Sequence, residues 1–173
     1  MMELKLENFT MRLVEEEDSE FIVQLRDNKY LSGTSPDVEE QKAWVRSYKE
    51  REAERREYYF IAEDLKGKRL GLARIYNFKG ESFELGSWVF MKGIDESIPV
   101  LVDIAVRDFA YDRLGFRVCR FTVSKENKAV LRYHRMYKPE LVREDEENYY
   151  FELELSAYKN SKRKILNIIE NGS

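Results

Sequence analysis

At 173 residues the chain has the size of one domain, long enough to bury about two-thirds of the surface its unfolded form exposes. Hydrophobic residues at 43% and aromatics at 13% exclude a disordered polymer. With 30 Lys and Arg against 33 Asp and Glu, net charge −3, there is no basic field to grip a phosphate backbone, so nucleic acid is not an expected partner.

The single cysteine, Cys119, sits in a strand-like run and reads as a small buried hydrophobe; it excludes an intrachain disulfide and a cysteine cluster for a metal. No stretch approaches the roughly 18 apolar residues of a membrane span, and residues 1–7 lack an apolar leader core. The expectation is a soluble cytoplasmic protein with no membrane partner.

Residues 9–14 alternate as a first strand, and the acidic run 15–19 supplies first-turn character for a helix to about Arg26. A loop of small and turn residues, 32–37, precedes a second helix over 38–55, where Val38, Gln41, Val45 and Tyr48 form one stripe with Trp44 beside it. Residues 58–63, 69–76 and 82–91 follow as three antiparallel strands, joined by turns at Gly67 and Gly80. After a loop at Gly93, residues 98–114 repeat as a half-buried helix that Gly115 stops. A strand over 117–123 leads to a helix over 127–137, and residues 140–143 and 149–155 make a last hairpin. The tail, 157–173, carries Ile165, Leu166, Ile168 and Ile169 and reads as an appended helix. The order to explain is β-α-α-β-β-β-α-β-α-β-β, with no internal repeat.

The most informative stretch is 117–137, where a strand ends at Asn127 and the chain restarts as a short helix carrying Tyr133 and His134. A titratable group at such a strand-to-helix edge lies where α/β-type sheets bind ligands. His134 is therefore the first catalytic candidate from the residues themselves.

Three pieces, Met11-Arg12-Leu13-Val14 with Asp18, Phe83-Glu84-Leu85-Gly86-Ser87-Trp88-Val89, and Asn127 opening the helix of Tyr133-His134, occur in an order that resembles the GNAT superfamily of acyl-CoA N-acyltransferases over residues 8–156. The likeness leans to the branch that acetylates amino sugars and ribosomal proteins. It implies one α+β domain over 1–156, with a mixed, mostly antiparallel sheet split between its fourth and fifth strands and helices on both faces. It further implies acetyl transfer from acetyl-CoA by direct attack to a primary amine of a small molecule, amino sugar or protein, with a small-molecule amine or amino-sugar acceptor as the partner and no metal.

By the same resemblance, backbone groups of Trp88, Val89 and Phe90 meet the pantetheine arm, and Ser97, as helix N-cap, opens the helix whose amides meet the pyrophosphate. Only Gly93 remains of that loop's usual glycines, and Asp95 and Glu96 add negative charge there. His134 falls where the family commonly has a tyrosine that protonates the leaving thiolate, a task within reach of an imidazolium near neutral pH. Glu84 is the candidate base for the amine, and Asn127 the residue that starts the acid's helix. Lys138-Pro139 replaces the family's glycine after that helix. The acceptor side falls to residues 28–37, Tyr30, Trp44 and Tyr59, with Arg26 either holding an acceptor phosphate or pairing with residues 15–18. The aromatic last strand and the tail are candidate surfaces for a homodimer. The rival reading is a catalytically degenerate GNAT-like binding module, and a third is an unrelated mixed α/β protein.

Overall fold

A computed structural model of the protein describes residues 3–25 and 37–171. The strands are β1 (Glu3–Lys5), β2 (Phe9–Leu13), β3 (Tyr58–Asp64), β4 (Arg69–Lys79), β5 (Ser82–Phe90), β6 (Val118–Ser124), β7 (Glu140–Glu144) and β8 (Asn148–Glu154). The helices are α1 (Ser19–Gln24), α2 (Val38–Ala53), α3 (Ser97–Asp108), α4 (Lys128–Arg135) and α5 (Leu155–Asn171). Hydrogen-bonded strands follow the order β1-β2-β3-β4-β5-β6-β8-β7, mostly antiparallel, with one parallel pair, β5 and β6. This is the mixed sheet that the family resemblance implies, with β5 and β6 as the expected fourth and fifth strands and β1 added at the edge.

The chain divides into two compact units, the first comprising residues 1–78 and 85–106 and the second residues 79–84 and 107–173. In the first unit β2 alternates buried and half-buried residues and pairs with β3 from Phe9↔Asp64 to Leu13↔Phe60, as a period-2 pattern on one face requires. Val14, Phe21, Ile22, Val45, Tyr48, Tyr59, Ile61, Leu72 and Val89 make one core cluster. Asp37 caps α2 by accepting from the Glu39 amide at 2.8 Å, the role that small acidic residues take at helix starts.

Asp18 ends a 3-10 turn (Glu16–Asp18) with no exposed surface and ties the first strand to that turn. Its carboxylate accepts from Arg12 at 2.7 and 2.8 Å, from Arg69 Nε at 2.8 Å and from the Glu15 amide at 2.7 Å. Burial alone would raise its pKa, but the bonds from Arg12, Glu15 and Arg69 prevail and hold it below the usual carboxylate range.

In the second unit β6 pairs with β8 along its length and β8 with β7, whose five residues are all exposed. Cys119, buried and outside any disulfide, faces Leu153 in this register. The parallel ladder with β5 consists of Ser82↔Val118, Phe83↔Cys119 and Glu84↔Arg120. Beyond α3 the helix widens into a π-turn (Phe109–Arg113), with Leu114 N donating to Phe109 O at 3.1 Å. That extra residue per turn buries Phe109, Ala110 and Tyr111 in succession, before Gly115 ends the helix at φ +80°.

The appended helix, α5, starts at Leu155, directly where β8 ends, rather than after a spacer. Tyr158 reaches Asp108 Oδ1 at 2.7 Å, Lys162 reaches Asp108 Oδ2 at 2.7 Å, and Ser161 donates to the Tyr137 carbonyl at 3.2 Å. Among the described residues no helix is long and apolar enough to cross a membrane, and no group of three or more His, Cys, Asp or Glu is placed to hold a metal ion.

Candidate functional site

In the second unit α4 buries Leu131 and His134, three residues apart and so on one face, while Arg132 and Arg135 stay outside. His134 is 4% exposed, its ring 4.7 Å from Phe121 and 5.1 Å from Tyr133. On α3, Arg107 is fully buried, with its guanidinium 5.0 Å from the Phe121 ring and 4.8 Å from the Tyr137 ring. Its Nη2 lies 3.2 Å from His134 Nδ1. A guanidinium can only donate, so Nδ1 accepts and the ring's hydrogen sits on Nε2. Below them the Tyr133 and Tyr137 hydroxyls bond at 2.6 Å.

Burial first, and the Arg107 charge second, push the His134 pKa well below its ordinary value. The ring is neutral near pH 7. An imidazolium ready to hand its proton to a thiolate is therefore not what the fold presents. What it presents is a neutral imidazole with an N–H donor at Nε2, because the low-dielectric surroundings and the neighbouring cation both disfavour a second positive charge.

Asn127 stands at the N-cap of α4, where its carbonyl accepts from the Leu131 amide at 3.0 Å and its side chain makes no capping bond. Glu84 accepts from Arg120 Nη1 at 3.3 Å, and Arg120 Nε donates to Ser82 Oγ at 3.0 Å. The carboxylate keeps a quarter of its surface in solvent.

In the first unit Ser87 on β5 has a φ of +50°, unusual for a residue with a side chain. The preceding Gly86 leaves room for Tyr76, whose ring and hydroxyl would lie 3.0 Å from any Cβ there. The next three residues are held firmly. Trp88 Nε1 donates to the Pro99 carbonyl at 2.9 Å, Val89 is in the core, and Phe90 packs edge-on to Trp88 at 6.0 Å. The Phe90 ring also lies on Gly71, where a Cβ would come within 2.0 Å of it.

Ser97 opens α3 as its first helical residue, and the capping oxygen comes from Asp95 instead. Asp95 Oδ1 accepts from Ser97 N at 2.8 Å and Ser97 Oγ at 2.6 Å, and the Asp95 carbonyl accepts from Ile98 N at 3.1 Å. Pro99 has no amide hydrogen. The bonds from Ser97 hold the exposed Asp95 carboxyl below its usual range, so it is charged throughout the neutral region. At the start of α3 the Ser97 amide is thus already engaged by the Asp95 carboxylate and the Ile98 amide by the Asp95 carbonyl.

Of the expected acceptor-side residues, Arg26, Tyr30 and the loop 28–36 lie outside the described residues. Trp44 stacks on Tyr48 at 6.1 Å and meets Tyr59 edge-on at 5.8 Å. Tyr59 is fully buried and backs Trp44 rather than presenting a face of its own. Its hydroxyl has no partner in hydrogen-bonding geometry; burial raises its pKa, partly offset by Arg74 and the nearby Ser87 hydroxyl. Arg51 and Arg74 lie 5.5 and 5.2 Å from Trp44, and Glu57, 4% exposed, bonds both at 2.9 and 2.7 Å.

Sequence reasoning did not find Arg107, Asp95 as a cap, or the Glu57–Arg74 pair. The only signal for Arg107 was a lone cation in the mostly apolar run 98–110, which also holds Asp103 and Asp108, and Asp95 carries the Asp-x-Ser spacing of a capping turn.

The model of the acetyltransferase (GNAT) domain matches residues 8–137. Among solved structures, apo FdhC, described as a nucleotide-linked sugar GNAT, is 34% identical over 95% of this chain and 97% of its own, with a TM-score of 0.84. A mutant of the spermidine N-acetyltransferase SpeG from Vibrio cholerae is 16% identical over 90% and 98% of the two chains, with a TM-score of 0.71. The ribosomal-protein-S5-alanine acetyltransferase from Vibrio fischeri is 13% identical over 89% and 97%, with a TM-score of 0.72. The last two likenesses are of fold alone. Among curated proteins none matches the chain.

Proposed function

The chain belongs to the acetyltransferase (GNAT) family, and on that premise we propose that it transfers acetyl from acetyl-CoA to the primary amine of a nucleotide-linked amino sugar by direct attack. The observation that carries the acceptor class is the 34% identity to a nucleotide-linked sugar GNAT across 95% of the chain. Trp44, framed by Arg51 and Arg74, is a flat cation-flanked ring of the kind that stacks a nucleobase or a sugar face.

The donor supplies acetyl as a thioester, and the residues of β5 fit its acyl arm. β5 runs on from Leu85 to Phe90 past its parallel ladder, with a positive φ at Ser87 and with Trp88, Val89 and Phe90 locked by the contacts above. Backbone donors held this firmly stabilise a developing oxyanion without reorganising. The start of α3 does not fit the donor's pyrophosphate in the usual way, because Asp95 occupies the Ser97 and Ile98 amides. Ser97 contributes its hydroxyl to that cap, and Asn127 sets the start of the helix that carries His134.

His134 donates a hydrogen bond from Nε2 toward the departing sulfur and keeps its own proton. Glu84, on β5 and paired with Arg120, takes the amine's proton directly or through water, and nitrogen gains the acetyl carbon as the C–S bond breaks. Exposed Leu141 and Val142 on β7 supply apolar surface for the expected self-association.

Release of free thiol from acetyl-CoA in the presence of a nucleotide-linked amino sugar, with spermidine in parallel, tests this reading. Turnover with the sugar, reduced on the order of a hundredfold in His134→Ala, is the expected result. Faster turnover with spermidine overturns the acceptor class. Calorimetric binding of acetyl-CoA without turnover on any amine establishes the second reading, a degenerate binding module, which the Asp95 cap at α3 specifically favours.

A further inference from the structure

We infer that Arg107 is a positioning residue for His134: donating from Nη2 to Nδ1, its guanidinium holds the imidazole in the tautomer that carries hydrogen on Nε2, and so makes the ring a dedicated hydrogen-bond donor.

A histidine free in water exchanges among two neutral tautomers and the imidazolium, and an acceptor, a donor and an acid are different tools at a reaction centre. Three features of the second unit remove that choice. Arg107 is fully buried and carries its charge at every relevant pH. Its guanidinium lies against the Phe121 and Tyr137 rings, so it has no open side to swing into. The imidazole is wedged by Phe121 at 4.7 Å and Tyr133 at 5.1 Å, which fixes which nitrogen meets the guanidinium. Arg107 on α3 is the charged group that bears on the ring; Phe121 of β6 and Tyr133 of α4 are neutral neighbours. The arrangement inverts the familiar one in which a carboxylate accepts from Nδ1–H and promotes an imidazolium. A cation at Nδ1 keeps the ring neutral and points its only proton the other way.

The link to turnover rests on the role proposed above for His134, whereas the tautomer is read without any turnover. The chain has one histidine, so a long-range 1H–15N correlation of the imidazole in uniformly 15N-labelled protein needs no assignment. The expected spectrum shows hydrogen on Nε2, a bare Nδ1 and no change from pH 8 to about 5.5. In Arg107→Met the ring takes up both tautomers and titrates at a higher pH than in the unaltered protein. Hydrogen on Nδ1 in the unaltered protein, or the same tautomer and titration in both, overturns the pairing. Where Arg107→Met does not fold by near-UV circular dichroism, Arg107→Gln, which removes the charge, is read in its place by the same titration. An upward shift supports the pairing and an unchanged titration overturns it. In the transfer assay kcat of Arg107→Met falls on the order of tenfold while KM for acetyl-CoA stays within about twofold. A changed tautomer with unchanged kcat refutes the role of His134 in the reaction and leaves Arg107 no part in turnover.

Discussion

The neutral, buried His134 makes stability depend on pH in a way that can be worked out in advance. In the unfolded chain its pKa is about 6.5, and in the fold burial and Arg107 depress it well below that. Below about pH 6.5 the unfolded state therefore binds one proton more than the folded state, and unfolding is favoured by about 1.36 kcal/mol for each pH unit. The contribution is fully present above the unfolded pKa and is lost as pH falls through it toward the folded value. Between pH 7.5 and 5.5 the protonation of the unfolded ring alone removes about 1.4 kcal/mol. At a urea m-value of about 2 kcal/mol/M this is a fall of about 0.7 M in the unfolding midpoint.

Urea unfolding followed by the fluorescence of the two tryptophans, in the unaltered protein and in His134→Phe, isolates the effect. The substitution keeps a ring against Phe121 and loses the Arg107 bond, which offsets stability equally at both pH values. The unaltered protein should lose about 1.4 kcal/mol more than the variant across this interval. Equal losses, within about 0.3 kcal/mol, would mean that the folded ring takes up a proton as readily as the unfolded one, and the neutral-donor reading of His134 fails.

Asp95→Ala removes a charge and releases the Ser97 amide, so acetyl-CoA should bind roughly threefold more tightly by calorimetry at low salt; unchanged or weaker binding shows that the donor's phosphates do not approach α3. Gly71→Ala places a Cβ 2.0 Å from the Phe90 ring and should destabilise by about 1–3 kcal/mol in chemical denaturation, with loss of acetyl-CoA affinity because the Phe90 ring must shift and pull on β5. Asp18→Ala leaves Arg12 and Arg69 without their shared carboxylate; the expected loss is about 3 kcal/mol, at the low end for a buried pair because both arginines reach solvent. The depressed Asp18 pKa adds that its stabilisation is complete above about pH 4 and disappears as pH falls through the folded value, a limb absent from the variant's acid unfolding curve.

The element order was legible because it depends on local periodicity. Alternation marked β2 to β5, apolar spacing at three and four residues marked α2 and α3, and Gly115 marked where α3 and its π-turn end. Elements without a local signal were missed: β1 has three residues, too few to show a period, and it exists by pairing Glu3 to Lys5 with Arg12 to Thr10. The start of α5 at Leu155 was placed too late because its first residues continue the apolar alternation of β8, and only the packing of Tyr158 and Ser161 against Asp108 and Tyr137 shows where the helix begins.

The site divides in the same way. His134 stood out in the sequence because it is the chain's one histidine at a strand-to-helix edge, and Trp88 to Phe90 only through the family resemblance. Their chemical state was decided by residues far along the chain. Arg107, 27 residues before His134, sets its tautomer and its charge, and burial against Phe121 removes the water that would stabilise an imidazolium. Periodicity is a property of neighbours in sequence, whereas desolvation and charge pairing are properties of neighbours in space. The sequence by itself therefore nominated the candidate residues, and the tertiary structure alone decided that the histidine among them is a neutral donor.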